Sequence, residues 1–564
     1  MSRMLRVLAV LVLYPALVRG QAREPLPISP TVNCTQGVVV SVSSAGSEAG
    51  RYVLQAGGNA VDAAVATAFA LAVAWPEAGN IGGGGFVLVY PGHGAEPQFF
   101  DYRETAPAGV TAETFSKGRP DSNALVGVPG TVRGLELAHK KLGHLPWKQL
   151  LAPAIHLARE GVLVDAPLAR SLNAGLRNAE AFTEFRRVFG KDGGWHAGDR
   201  LVQPDLARTL ELIAERGADA FYAGDVADKL VSSVRAGGGL MTQDDLRGYQ
   251  AKERAPIHGT YREFDVYSAP PPSSGGVALV EMLNILESFP LRDFGRYDPR
   301  TLHLMIESMR RGFCDRAQFL GDPDFVAFPA QLTDKAYAKQ LAAQIDLAHA
   351  TSSTALAKQN NLQISDGGPQ TTHFSVIDSK GMAVANTFTL EQSFGGKIVV
   401  NGAGFLLNNE MGDFNPRPGV TTPTGLIGTR ANQAGPGKRM LSSMTPTIVA
   451  KNGRPVLVTG SPGSRTIINT VLCVTLNTLE FQMPIRDAVD APRMHHSWFP
   501  DELAIEPGLL TAHPDVIKQL RAMGHTINDR PQHQGDAHSI WIDPITGQYT
   551  AAADTRIGGA AAGY

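Results

Sequence analysis

The chain has 564 residues, 43% of them hydrophobic and 18% charged, an ordinary globular balance with ample material for a large core. Its net charge of −2 and pI of about 6.7 leave no basic footprint for nucleic acid, and no Lys/Arg run marks an anionic lipid surface. The 60 glycines and 37 prolines are dispersed as turns, not low complexity, and length alone implies about two to four domains.

Arg3 and Arg6 precede an apolar run from Val7 to Val18, and Gly20 and Ala22 supply small residues for cleavage. The run contains Pro15 and falls short of the ~20 residues of a comfortable membrane span. Residues 1–20 therefore read as a signal peptide cleaved near 20–22. The mature chain is expected to be exported, periplasmic or extracellular, with membrane attachment only if the leader stays as an uncleaved anchor. Cys34, Cys314 and Cys473 are too few for a disulfide framework. Cys34 lies in the formal sequon Asn33-Cys34-Thr35, and Cys473 falls in an apolar helical pattern as a core residue. No cysteine pair has zinc-ligand spacing, and the adjacent His495 and His496 suit a loop better than a chelate, so no metal is expected.

Helices are expected at 47–55 and 60–75, the second rich in Ala and Val all round and so buried, with Gly57-Gly58 as the stop between them. The run Gly82-Gly83-Gly84-Gly85 leads into a strand at 86–90. A phosphate loop needs strand and then helix, so nucleotide binding is rejected. Further helices are expected at 147–159, 206–215, 277–288 and 301–319. From Thr371 the apolar period changes to two. One hairpin joins 371–377 to 382–390 through Asp378-Ser379-Lys380-Gly381. A second joins 444–450 to 455–459 through Asn452-Gly453. It runs into Gly460-Ser461-Pro462-Gly463-Ser464-Arg465 and a helix at 466–481. Residues 415–437, rich in Gly, Pro and Thr, fit either a lid over a site or a plain surface loop. Helices, hairpins and helices in this order imply stacked sheets with helical layers outside.

Pro369-Gln370-Thr371-Thr372-His373-Phe374 reads as a self-cleavage segment. Thr is a poor nucleophile inside a chain, but at an N-terminus its own α-amine, with a reference pKa of about 7.7–8.0, can take the hydroxyl proton. Cleavage between Gln370 and Thr371 would create that amine. By itself the segment fits a plain surface strand after a Gly-Gly-Pro turn better, and the rest of the chain reverses that balance. Amide-bond chemistry further needs oxyanion donors and a substrate clamp. The strand-to-helix turn at Gly463 and Ser464 offers backbone N–H groups at a helix N-terminus. Arg103 could clamp a carboxylate with help from Ser442 and Ser443, while Glu391, Glu410 and Asp413 could hold an ammonium. Together they outline a pocket for an amino acid head group.

These residues sit within motifs that resemble the γ-glutamyltransferase (glutathione hydrolase) family over nearly the whole chain after the leader. The matching stretches include Gly57-Gly58-Asn59-Ala60-Val61-Asp62, Tyr102-Arg103-Glu104, Pro270-Pro271-Pro272-Ser273-Ser274-Gly275-Gly276, Leu320-Gly321-Asp322-Pro323, Leu407-Asn408-Asn409-Glu410-Met411, Pro436-Gly437-Lys438-Arg439, Leu441-Ser442-Ser443-Met444-Thr445-Pro446 and Ala562-Gly563-Tyr564. The resemblance implies an α+β fold, the four-layer αββα sandwich of N-terminal-nucleophile hydrolases. That sandwich would be one intertwined domain built from a large subunit, 21–370, and a small subunit, 371–564.

The resemblance further implies Thr371 as nucleophile, with Thr389 orienting it and the Gly463 and Ser464 amides as oxyanion hole. Arg103, Ser442 and Ser443 would bind the γ-glutamyl α-carboxylate, and Glu391, Glu410 and Asp413 its α-amine. Glutathione and related γ-glutamyl compounds would be the substrates and water, amino acids or dipeptides the acceptors, with no cofactor. Three positions depart from the commonest family pattern: Ser464 stands where a second Gly is usual, Glu391 where many members have Asn, and Glu410 where some have Gln. The alternatives are a related acylase or amidohydrolase on another amide, and an unprocessed exported γ-glutamyl-binding pseudoenzyme.

Overall fold

The computed structural model describes residues 29–92, 94–115, 122–359, 371–415, 419–424 and 427–564. The leader and Gln370 lie outside the described residues.

Two seven-stranded antiparallel sheets form the centre. One runs in the order Ala560–Gly563, Val38–Ser41, Thr372–Ile377, Ala383–Thr389, Gly84–Tyr90, Gln98–Asp101 and Lys252–Arg254. The other runs Thr31–Cys34, Tyr549–Ala552, Ser539–Ile542, Arg454–Thr459, Thr447–Lys451, Phe264–Ser268 and Ile257–Tyr261. Each sheet takes strands from both sides of residue 370.

Alternation of side chains along each strand divides the interior into three apolar layers. Phe374, Val376, Val384, Val87 and Val89 pack under helices Ser44–Gln55, Ala60–Ala74 and Trp147–Glu160. Ile377, Ala383, Ala385, Phe86 and Leu88 point the other way and meet Ile448, Ala450, Val458 and Ile540 of the facing sheet. Val449 and Leu457 turn outward onto helices Gly275–Leu286, Pro299–Phe319 and Thr466–Leu479. Strands buried on both faces read as nearly continuous apolar runs, as in Val38-Val39-Val40, instead of a clean alternation. The result is the helix–sheet–sheet–helix sandwich.

Helix Ala60–Ala74 is buried along its whole length and starts on a capping box between Asn59 and Asp62. The other expected helices lie within about two residues of their expected ends, except that Ser44–Gln55 starts three earlier. The second hairpin begins at Thr447, because Met444 and Thr445 turn back toward Ser442 and Ser443. Three strands outside the expected set deserve mention for their cause. Ala560–Gly563 has weak strand propensity and is a strand because it pairs with Val38–Ser41. Hairpin Ile257–Tyr261/Phe264–Ser268 carries Gly259 and His258, which blur its pattern. Among the described residues no helix is long and apolar enough to cross a membrane.

Candidate active site

Thr371 is 9% exposed and leads directly into the central strand Thr372–Ile377. That strand pairs with Ala383–Thr389 in the register Thr372 to Phe388. One further step of the register sets Thr371 against Thr389. The Thr389 carbonyl accepts from Asn80 Nδ2 at 2.8 Å, and its Oγ1 accepts from the Glu391 N–H at 2.8 Å. Glu391 adopts φ +78, a left-handed conformation uncommon for a residue with a Cβ, so the chain turns sharply past the strand end. The glycine run packs here. A Cβ on Gly83 would collide with the Thr389 carbonyl and one on Gly82 with that of Leu406. These glycines permit close backbone approach instead of cradling phosphate.

Asn409 N–H donates to the Leu390 carbonyl at 3.0 Å, which brings Glu410 alongside Glu391. Arg103 is 1% exposed and is the hub of this region. Its guanidinium bonds Glu410 Oε1 through Nη1 and Asp413 Oδ2 through Nη2 at 2.7 Å, and reaches the Met440 carbonyl at 3.2 Å and that of Leu441 at 3.4 Å. The expected carboxylate clamp and two of the expected ammonium acids therefore hold one another. A buried guanidinium needs local counter-charges, which explains the pairing. Behind it, Asp101 accepts from the Arg103 N–H at 2.9 Å and pairs with Arg254 at 2.7 Å, with Arg439 at 3.4 Å.

Three carboxyls surround one guanidinium here. Burial pushes the Glu104 carboxyl up to about 7 despite Arg103, whose Nη1 lies 3.7 Å away. Burial, reinforced by Glu104, Asp413 and Glu391, also holds Glu410 well above the usual carboxylate range. Such a site favours an incoming ammonium.

Ser442 and Ser443 follow Leu441 and so stand at the Arg103 hub. Asn432 ties this stretch to the acids: its Oδ1 accepts from Leu441 N–H at 2.9 Å and its Nδ2 donates to the Asp413 carbonyl at 2.7 Å. Asn432 belongs to the 415–437 segment, whose described residues around it thereby pack on the site. Sequence reading passed over Asn432, Asn80 and Asn408. The last accepts from Gly127 and Glu410 N–H groups and donates to the carbonyls of Gly82 and Gly127. A buried Asn within a Gly-rich neighbourhood was the available signal.

Gly463 and Ser464 precede helix Thr466–Leu479 at φ +125 and +56. The turn is joined to the strand of Thr371 at its base, where Gly460 packs against the His373 ring so closely that a Cβ would overlap it. His373 is fully buried, which with nearby His538 holds it well below the usual imidazole range and hence neutral. A left-handed φ costs a non-glycine residue ~1–2 kcal/mol. Ser464→Gly is therefore expected to retain or raise kcat and to raise Tm by a few degrees, whereas the β-branched Ser464→Val should lower kcat by ~100-fold. Steady-state kinetics and thermal melts of both variants check this.

His303, Glu307 and His525 lie close enough together to converge on one ion. Most of their bonding atoms are already used: His303 Nδ1 and His525 Nε2 share a hydrogen bond of 2.8 Å, and Glu307 is paired with Arg310 and Arg311. Two guanidiniums repel a cation, so the cluster reads as a core network.

A strand-borne Thr, a hydroxyl partner opposite it, N–H donors at a helix start and a charged head-group pocket are the parts of an amide-cleaving site. The family model described as Gamma-glutamyltranspeptidase matches residues 46–564. A glutathione hydrolase proenzyme from Escherichia coli (strain K12) is 44% identical over 544 residues, covering 94% of this chain and 93% of that protein. One from Pseudomonas aeruginosa is 43% identical over 519 residues, covering 90% and 91%. Among solved structures, cephalosporin acylase from Bacillus halodurans superposes with TM-score 0.84 at 27% identity, covering 97% of this chain and 99% of that one. The chain belongs to the γ-glutamyltranspeptidase family.

Proposed function

We propose that this chain is the precursor of a self-cleaving γ-glutamyl hydrolase and transpeptidase acting on glutathione and related γ-glutamyl compounds. The Arg103–Glu410–Asp413 hub carries the reading, because it brings one buried cation and several acids together. Thr371 Oγ attacks the Gln370 carbonyl carbon; the peptide C–N bond breaks, and the proton lost by the hydroxyl ends on the Thr371 nitrogen, which becomes the new amine. Water then hydrolyses the resulting ester, leaving a Gln370 carboxylate and a free Thr371 hydroxyl. In turnover the Thr371 amine accepts the hydroxyl proton as Oγ attacks the γ-amide carbon. That proton passes to the departing amine. The Gly463 and Ser464 N–H groups stabilise the oxyanion, and Thr389 orients Thr371. Water resolves the γ-glutamyl ester to glutamate, or an amino acid or dipeptide amine takes the group.

Substrate binding exchanges the Arg103 carboxylate partners for the substrate α-carboxylate, while Glu391, Glu410 and Asp413 turn to its ammonium. The interleaving of strands from both sides of residue 370 supports large (21–370) and small (371–564) subunits that remain one domain after cleavage. Residues 1–20 serve as an export signal to the periplasm or the extracellular space.

Intact mass of the leaderless protein, followed by assay on γ-glutamyl anilide, tests the proposal: two fragments meeting at 370/371 and hydrolysis of the anilide are expected. A single uncut, inactive chain would favour the pseudoenzyme. The structural likeness to cephalosporin acylase favours one rival, an acylase. Faster turnover of glutaryl anilide than of γ-glutamyl anilide would support it.

The acid-rich pocket sets a pH dependence. An ammonium binds best when its acids are ionised, so binding releases protons and strengthens as pH rises through the raised carboxyl range. With Glu104 near 7, KM for γ-glutamyl anilide should fall ~10-fold between pH 6 and 8. Glutaryl anilide, which lacks the amine, should show no such fall. Titration of the Thr371 amine affects both substrates equally and cancels in the comparison.

A further inference from the structure

Helix Pro299–Phe319 ends beside the head-group pocket and directs one cation into it. Arg316 donates from Nη2 to Ser443 Oγ at 2.9 Å and from Nε to Ser274 Oγ at 2.8 Å. Ser274 passes its own proton to the Ser442 carbonyl at 2.6 Å, and its N–H reaches the same carbonyl at 2.8 Å. One guanidinium thus holds both members of the serine pair, one by its hydroxyl and the other by its backbone.

The hydroxyl chemistry gives this a consequence. A serine has one proton to donate and two lone pairs to accept with. Ser443 Oγ accepts from Arg316, and Ser442 Oγ accepts from the Met444 N–H at 3.0 Å. Among the described residues neither hydroxyl donates to a protein acceptor. Both protons are therefore left for an acceptor that comes from outside, and a carboxylate has two oxygens for them. Among the described residues Arg316 has no carboxylate within ion-pair distance, while burial and Arg465 pull its pKa down to about 9, against Asp413, which still leaves it charged at neutral pH. The site gains from an anion.

We infer that Arg316 is a positioning residue of the head-group pocket, fixing Ser442 and Ser443 as paired proton donors to the substrate α-carboxylate and adding a second positive charge behind Arg103. This rests on the γ-glutamyl reading above. Arg316 does not touch the reacting atoms. Its effect falls on recognition of the α-carboxylate and leaves the acyl transfer unchanged.

The test compares the wild type, Arg316→Lys and Arg316→Gln on γ-glutamyl anilide and on 4-aminobutanoyl anilide, which keeps the amine and lacks the α-carboxylate. Rates are expressed per self-cleaved molecule, counted by intact mass. For Arg316→Gln, KM on γ-glutamyl anilide is expected to rise ~30–100-fold with kcat within ~3-fold. On 4-aminobutanoyl anilide neither constant should move by more than ~3-fold. Arg316→Lys should fall between, since an ammonium keeps the charge but lacks the fork that spans two hydroxyls. Equal losses on both substrates would overturn the inference and leave Arg316 as structural support. Unchanged preference would overturn it too, as would failure of both variants to fold and self-cleave. If the wild type itself shows no preference for the α-carboxylate, the γ-glutamyl reading fails instead.

Discussion

Thr371→Ala is expected to run as a single uncut chain and to show no turnover of γ-glutamyl anilide above background, a loss of at least ~10⁴-fold. Both effects have one cause. The Thr371 hydroxyl makes the ester that opens the chain and, once the chain is open, the ester that carries the substrate acyl group. Thr371→Ser keeps a hydroxyl and should therefore cleave and turn over, more slowly. The folded precursor is predicted to survive the Ala change. Thr371 contributes only a methyl and a hydroxyl at a strand end, and the apolar layers on either side of strand Thr372–Ile377 do not include it. Mass spectrometry, thermal melting and an anilide assay on the same sample separate the three statements. Self-cleavage of the Ala variant at 370/371 would remove Thr371 as the agent.

Much of this architecture was legible because sequence period and structural layer coincide. The hairpin at 371–390 alternates, so its two faces sort into two cores, and the helix at 466–479 shows its apolar stripe openly. Legibility failed where pairing rather than propensity makes the element, as with Ala560–Gly563, which is a strand only against Val38–Ser41. The site was visible in the same uneven way. Arg103, Glu410 and Asp413 were identifiable as charged residues inside distinctive motifs, and the structure brings them together. What could not be read was that they pair with one another, because that follows from burial, and burial depends on the whole fold. Nor could Arg316 be connected to Ser443, 127 positions away in sequence. The departure at Ser464 was noticed as a missing glycine. The structure gives its physical content, a side chain held at φ +56 beside Gly463 at +125.

Two of the shared motifs prove to be scaffold. Asp322 of Leu320-Gly321-Asp322-Pro323 accepts from the Arg439 N–H of Pro436-Gly437-Lys438-Arg439 at 2.7 Å, and Arg439 in turn backs Asp101. Two motifs more than a hundred residues apart thus support the wall from which Arg103 projects. A motif can be specific for a family and still carry no chemistry itself; its chemistry lies in what it holds still.

Arg103→Gln should be the most damaging substitution in the pocket that leaves the nucleophile intact. KM for γ-glutamyl anilide is expected to rise ~100–1,000-fold, and stability to fall by ~3–5 kcal/mol, the usual consequence of removing one partner from a buried ionic cluster. The loss has a pH signature whose sign follows from the charges. Without the guanidinium, Glu104 and Glu410 face the neighbouring acids uncompensated, and their already raised folded-state pKa values move further above the unfolded ones. Carboxyls raised in this way stabilise the fold while protonated and lose that contribution as pH rises through the raised values. The Tm deficit of Arg103→Gln relative to wild type should therefore be greatest near pH 8 and shrink toward pH 5. Adding Glu410→Gln to it removes one of the stranded charges and should recover part of the stability without recovering KM. Arg103→Lys supplies charge but cannot reach Glu410, Asp413 and the Met440 and Leu441 carbonyls together, so it should restore Tm more fully than substrate affinity. A deficit that grew on acidification would mean that the acids are held by something other than Arg103, and the head-group pocket would then need a different centre.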